Sequence, residues 1–197
     1  FFQNYSSILS LTTISFDIFV LENLLPLTVG LKVIIASVEQ QKDPNALAKL
    51  ISASKVDMLQ MVPSRLQLLL MNPENVCCLK NVKVIMVGGE AFPDALFGML
   101  KSNTSAKIYN MYGPTEATVW VSISDLTDKK IINAGKPIAN TEFYVLDENK
   151  KLQPIGAVGE LYIFGDSLSS GYFNNEKLTN EKFVLNPYKN DGSKMYR

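Results

Sequence analysis

The sequence predicts an α/β fold: a mostly parallel sheet flanked by helices, followed by an antiparallel, β-barrel-like portion. Three observations carry this. Short β-branched apolar runs alternate with segments of helical period over the first 124 residues. Polar and apolar residues alternate along residues 141–146 and 158–164 beyond that point. A chain of 197 residues that is 47% hydrophobic and 19% charged can also build a genuine core. The expected organisation is therefore an α/β part over 1–124 and a β-rich part over 125–197, truncated at its C-terminal end.

Leu31-Lys32-Val33-Ile34-Ile35 is the first strand, set off by Gly30. Asp43-Pro44 then opens a helix, with Asp as cap and Pro in the first turn, and Leu47, Leu50, Ile51 and Ser54 recur at helical spacing. Residues 56–62 read as the next strand, 63–71 as a helix, 82–87 as a strand and 93–100 as a helix. Lys107-Ile108-Tyr109 closes the βαβαβαβ series. In the second part Thr141-Glu142-Phe143-Tyr144-Val145-Leu146 and residues 158–164 alternate around the turn-forming Asp147-Glu148-Asn149-Lys150, which predicts an antiparallel hairpin.

Composition excludes several functions. There are no histidines, so imidazole triads and histidine metal sites are absent. Cys77 and Cys78 are adjacent, a poor disulfide geometry and too few thiols for zinc, and a reducing cytosol fits such usage. Nineteen basic residues balance nineteen acidic ones without a basic stripe, which argues against nucleic acid. The apolar stretch 18–31 is interrupted by Glu22, Asn23 and Pro26, so no membrane span is expected. The opening Phe1-Phe2-Gln3-Asn4, without a starting Met or a basic leader, reads as part of a longer, cytoplasmic chain.

Ligands of open α/β sheets sit at the carboxyl ends of strands. After the 82–87 strand comes Gly88-Gly89-Glu90-Ala91, which either turns the chain or lets a planar ligand approach the backbone. After the 107–109 strand comes Asn110-Met111-Tyr112-Gly113-Pro114-Thr115-Glu116. Gly113-Pro114 fixes a turn, Tyr112 offers a flat face, Thr115 a hydroxyl for a phosphate oxygen and Glu116 a hard oxygen of the kind Mg²⁺ prefers. Asp17, ahead of an apolar helix, suits an N-terminal cap by residue type alone, and Met86, Met111 and Val119 suit plain core.

The loop Asn110-Met111-Tyr112-Gly113-Pro114-Thr115-Glu116, with Gly159-Glu160-Leu161-x-Ile163-x-Gly165 and Gly171-Tyr172, resembles the adenylate-forming enzymes, specifically the adenylation domains of nonribosomal peptide synthetases. Ser15-Phe16-Asp17, Pro137-Ile138 with Asn140-Thr141, and Leu178-Thr179-x-x-Lys182-Phe183 match in order, so the resemblance spans nearly the whole chain. It implies part of the large subdomain of such an enzyme, with 1–124 as the substrate- and nucleotide-binding part. The implied reaction joins an amino acid to ATP as aminoacyl-AMP, then loads a carrier-protein phosphopantetheine thiol. The implied partners are therefore the amino acid, ATP with Mg²⁺, a carrier-protein domain and neighbouring synthetase domains.

The resemblance also implies roles. Asp17 pairs with the substrate ammonium; Gly89, Glu90 and Ala91 line the adenine; Tyr112 stacks on it and Asn110 lies beside it. Gly113 and Pro114 shape the nucleotide loop, Thr115 contacts phosphate and Glu116 holds the metal, these two being the catalytic pair. Family specificity positions map onto Asp17, Ile18, Leu21, Gln60, Met86, Gly88, Met111, Val119 and Trp120. That string resembles glycine-activating domains, because bulky residues leave little volume beyond Asp17. The family's phosphate loop, ribose-binding aspartate and C-terminal lid lie outside the 197 residues, so these residues alone are expected to be inactive. An acyl-CoA or aryl-acid ligase, whose substrate carries no ammonium for Asp17, and a non-catalytic binding module are the alternatives.

Overall fold

The computed structural model describes residues 2–197 and divides into two compact units. The first comprises the residues up to Tyr112 together with Ile123–Gly135, and the second comprises Gly113–Ser122 and Lys136–Arg197. The line expected at 124/125 thus falls inside a stretch where the chain passes from one unit to the other and back. Among the described residues no helix is long and apolar enough to cross a membrane.

In the first unit the strands are β1 (Ser7–Ser10), β2 (Lys32–Ile35), β3 (Met58–Met61), β4 (Val84–Gly88), β5 (Lys107–Tyr112) and, from Ile123 onward, β6 (Ser122–Asp125). They lie in the order β2-β1-β3-β4-β5-β6, and the pairs from β2 through β5 are parallel. The expected strands appear as β2 to β5. β1 was not anticipated: Ser-Ile-Leu-Ser is four residues long and polar at both ends, yet fully buried. Its serines are satisfied inside, Ser7 Oγ accepting from the Asp57 amide at 3.1 Å and Ser10 Oγ from Asn23 Nδ2 at 2.8 Å.

The helices are α1 (Leu25–Thr28), α2 (Val38–Lys42), α3 (Pro44–Ser54), α4 (Pro63–Leu70) and α5 (Asp94–Asn103). Asp43 caps α3 as expected, its carboxylate accepting from the Asn45 amide at 2.8 Å. Leu47 and Ile51 of α3, Leu66 and Leu69 of α4 and Leu96 and Leu100 of α5 pack with Leu9, Leu59, Met61, Ile85, Val87 and Ile108 of the sheet in one core.

The second unit holds β7 (Lys136–Pro137), β8 (Thr141–Leu146), β9 (Glu160–Gly165), α6 (Glu176–Lys182), β10 (Phe183–Leu185) and β11 (Lys194–Tyr196). The expected hairpin is β8–β9, antiparallel from Thr141 opposite Gly165 to Leu146 opposite Glu160. Four of these strands form an open antiparallel sheet, β10-β11-β9-β8, rather than a closed barrel. Both faces are packed, one by Ala117, Val121 and Ile163 and the other by Leu146, Tyr162 and Met195.

Candidate functional site

Strand alternation sorts the expected specificity positions of the first unit. Leu59, Met61, Ile85 and Val87 face the helix-covered core, so Gln60, Met86 and Gly88 point to the opposite face. Gln60 pairs with Met86 and Gly88 with Met111, which brings these four together at the carboxyl ends of three adjacent strands. Met86 and Met111 are buried there, on the side away from α3, α4 and α5. Gln60 is 1% exposed, and its Nε2 has no hydrogen-bond partner among the described residues. A buried, unpaired amide donor is costly, about 1–3 kcal/mol, and marks a place where an acceptor belongs.

The helical stretch from Ile18 to Thr28 is tied to that same face, because Asn23 bonds Ser10, whose neighbour Leu9 points to the other side. Ile18 Cδ1 lies 3.5 Å from the point a Cβ on Gly89 would occupy. Asp17 is half-buried at the start of this stretch, and no hydrogen bond or ion pair with a described residue engages its carboxylate, so it does not serve as the cap its position allows. Leu21 lies in a π-helical turn, Val20–Leu24, a widened geometry that recurs at functional sites.

The Gly88-Gly89-Glu90-Ala91 segment is exposed beyond Gly88. Glu90 accepts from the Ser64 amide at 3.0 Å and the Ser64 hydroxyl at 2.8 Å, so its carboxylate caps α4, which has no cap of its own. Asn110 Nδ2 donates to the Asn133 carbonyl at 2.8 Å, a pairing absent from the sequence expectations. Tyr112 is 40% exposed, leaving ring surface for stacking. A separate cavity of about 630 Å³ opens at the ends of β1 and β3; it takes in Ile18 and Glu90, with Thr12, Phe16, Val62 and Arg65, but not Gln60, Met86 or Met111.

In the second unit the loop is drawn tight. A Cβ on Gly113 would sit 2.4 Å from the Val119 carbonyl oxygen and 2.6 Å from Trp120 Cα, so only glycine permits this approach. Pro114 precedes a short 3-10 turn, Thr115–Ala117, with Thr115 exposed. Thr118 and Val119 both have positive φ, 58° and 69°, and the Trp120 amide reaches the Thr118 carbonyl at 2.9 Å, a strained three-residue turn. Thr118 Oγ1 anchors it to the Ser167 carbonyl at 2.6 Å. Trp120 is buried, and its indole N–H has no partner among the described residues.

Glu116 accepts a hydrogen bond from the Tyr172 hydroxyl. Partial burial works against its charge, but Tyr172, with Tyr196 and the nearby Lys182, holds the carboxyl below the ordinary range, and the same bond pushes the Tyr172 phenol up. Gly171 sets Tyr172 in place: at φ +136° its would-be Cβ lies 2.4 Å from Thr179 Cγ2, while Thr179 Oγ1 accepts from the Tyr172 amide at 2.9 Å. Tyr172 was legible as a motif member, but its partnership with Glu116, 56 residues away, was not. No group of three or more acidic or thiol side chains gathers among the described residues.

The AMP-binding enzyme family model matches residues 2–173. A dimodular nonribosomal peptide synthase of Bacillus subtilis (strain 168) is 40% identical over 193 residues, covering 96% of this chain and 8% of that protein. Among solved structures, holo-AB3403, a four-domain nonribosomal peptide synthetase bound to AMP and glycine, superposes with a TM-score of 0.87 at 35% identity, over 98% of this chain and 14% of that one. The Klebsiella oxytoca NpsA N-terminal subdomain, in complex with 3-hydroxyanthranilyl-AMSN, superposes at 0.83 with 27% identity, over 98% of this chain and 48% of that one. The chain thus spans a small part of the synthetases it matches, and it belongs to the AMP-binding enzyme family.

Proposed function

We propose that this chain supplies the substrate-contacting strands and nucleotide loop of an adenylation domain that activates glycine with ATP and delivers it to a carrier-protein phosphopantetheine thiol. The observation that carries the reading is the shared face of Gln60, Met86, Gly88 and Met111, bulky at three of four positions and holding an unpaired amide. Such a wall rejects side chains by overlap, at about 1–3 kcal/mol of strain, and glycine alone avoids it. The glycine-bound neighbour at 35% identity supports the same choice.

In this reading Asp17 binds the substrate ammonium, and Ile18 and Leu21 complete the wall. The glycine carboxylate oxygen attacks the α-phosphorus, a P–O bond forms, and the bond to pyrophosphate breaks. Tyr112 stacks on the adenine, with Asn110 and the backbone of Gly89, Glu90 and Ala91 beside it. Gly113 and Pro114 shape the loop that sets Thr115 against a phosphate oxygen. Glu116 would hold Mg²⁺, which when bound neutralises phosphate charge. The thiol of the carrier then displaces AMP from the glycyl carbonyl in a cytoplasmic assembly. An aryl or fatty acid has no ammonium for Asp17, which disfavours a ligase of that substrate class.

The test is amino-acid-dependent pyrophosphate exchange by the full-length protein with glycine, alanine, serine and leucine. We expect glycine first and alanine next. A preference for leucine or an aromatic amino acid would overturn the wall assignment.

A further inference from the structure

The reaction described above leaves one fully buried acid unused. Glu22 is 0% exposed, yet it lies in the π-helical turn of the stretch that begins beside Asp17. Its Oε2 accepts from the backbone amides of Leu11 and Thr12, each at 2.8 Å, and its Oε1 from the Thr12 hydroxyl at 2.6 Å. Those two residues are the first beyond the carboxyl end of β1. The next residue, Asn23, bonds Ser10 Oγ at 2.8 Å and the Phe19 carbonyl at 3.2 Å. Two adjacent side chains thus clamp one helical turn onto the end of β1, an interior strand next to the sheet edge. The amides of Leu11 and Thr12 would otherwise be left without partners as the chain leaves the sheet.

The π turn makes the clamp possible. It widens the helix by one residue, so Leu21 and Glu22 occupy positions a regular helix would give to different neighbours. Asp17, Ile18 and Leu21 share this stretch, and the Asp17 carbonyl accepts from the Val20 amide at 3.0 Å, which couples Asp17 to the turn. We infer that Glu22 is a positioning residue for amino-acid recognition, fixing the distance between the end of β1 and the turn that carries Asp17, Ile18 and Leu21. The inference rests on the glycine-activating reading above.

The chemistry of the clamp is hydrogen bonding. A glutamine at this position can take both backbone amides on its single carbonyl oxygen and donate its NH₂ to the Thr12 hydroxyl, whereas alanine can do neither. Burial raises the Glu22 pKa against its three donors and the nearby Arg65. Displacing a binding carboxylate by even about 1 Å costs up to about a hundredfold in productive binding, and groups that do not move are untouched.

The experiment measures pyrophosphate exchange by the full-length protein with wild type, Glu22→Ala and Glu22→Gln. We expect Glu22→Ala to raise the KM for glycine about tenfold or more and leave the KM for ATP within about twofold, with Glu22→Gln close to wild type. A Glu22→Ala protein with an unchanged glycine KM, or with both KM values shifted together, would overturn the assignment. If Glu22→Ala does not fold, Thr12→Val carries the test: a selective rise in glycine KM supports the clamp, and an unchanged value refutes it. Wild-type protein that exchanges with no amino acid overturns the proposed function and this inference with it; wild type that exchanges glycine while the variants match it overturns this inference alone.

Discussion

Asp17 is the residue on which amino-acid selection turns in the proposed reaction. Its carboxylate makes no internal pair among the described residues, so it is free to meet an ammonium. Asp17→Ala in the full-length protein should therefore abolish amino-acid activation, by about a hundredfold or more, with ATP affinity nearly unchanged. The check is exchange kinetics beside nucleotide titration, and wild-type-like exchange would remove Asp17 from the site. Trp120 makes the complementary case. It is buried with an indole N–H that has no partner among the described residues, and Trp120→Ala should admit alanine and serine as competitors of glycine. Competition assays that still show glycine alone would place Trp120 in the core. Tyr172 acts on Glu116 through one hydroxyl, so Tyr172→Phe should raise the Mg²⁺ concentration needed for half-maximal exchange several-fold, about one decade at most. Mn²⁺ binding followed by electron paramagnetic resonance should weaken in parallel, and an unchanged binding curve would detach Tyr172 from the metal.

At the scale of elements, α4 shows how a motif residue can serve the scaffold. Its first turn begins Pro63-Ser64 with no cap from its own sequence, and Glu90 supplies one from the loop after β4. Helix dipole and orphan amides both favour a carboxylate there. Glu90→Ala should cost the first turn of α4 on the order of 1 kcal/mol, seen as faster amide exchange around Ser64 and Arg65. Protection that stays constant would show the cap to be dispensable. The strand pattern was legible wherever apolar β-branched residues run together, as in β2 and β4, and the Asp43-Pro44 start of α3 was legible because cap and proline are local signals. β1 was not, since its two serines look solvent-facing until partners from Asp57 and Asn23 satisfy them.

For the whole molecule, adenylation needs charge stabilisation from several groups at once, and this chain provides only Thr115 and Glu116 toward the phosphates in the proposed reaction. The 197 residues by themselves should show no pyrophosphate exchange, and robust turnover would refute that division of labour; nucleotide binding by Tyr112 and its neighbours is compatible with it. The sequence determined the α/β class, the hairpin and the family, because periodicity, caps and the Asn110-to-Glu116 motif are read from neighbours along the chain, although its first three residues end β5 rather than form a loop. The tertiary structure alone decided that β1 pairs inside the sheet between β2 and β3, that Gln60, Met86, Gly88 and Met111 share a face, and that Glu22 holds Leu11 and Thr12 while Tyr172 holds Glu116. Those pairings join residues 10 to 56 positions apart, and a hydrogen bond between distant segments leaves no period or composition signal in the chain that makes it.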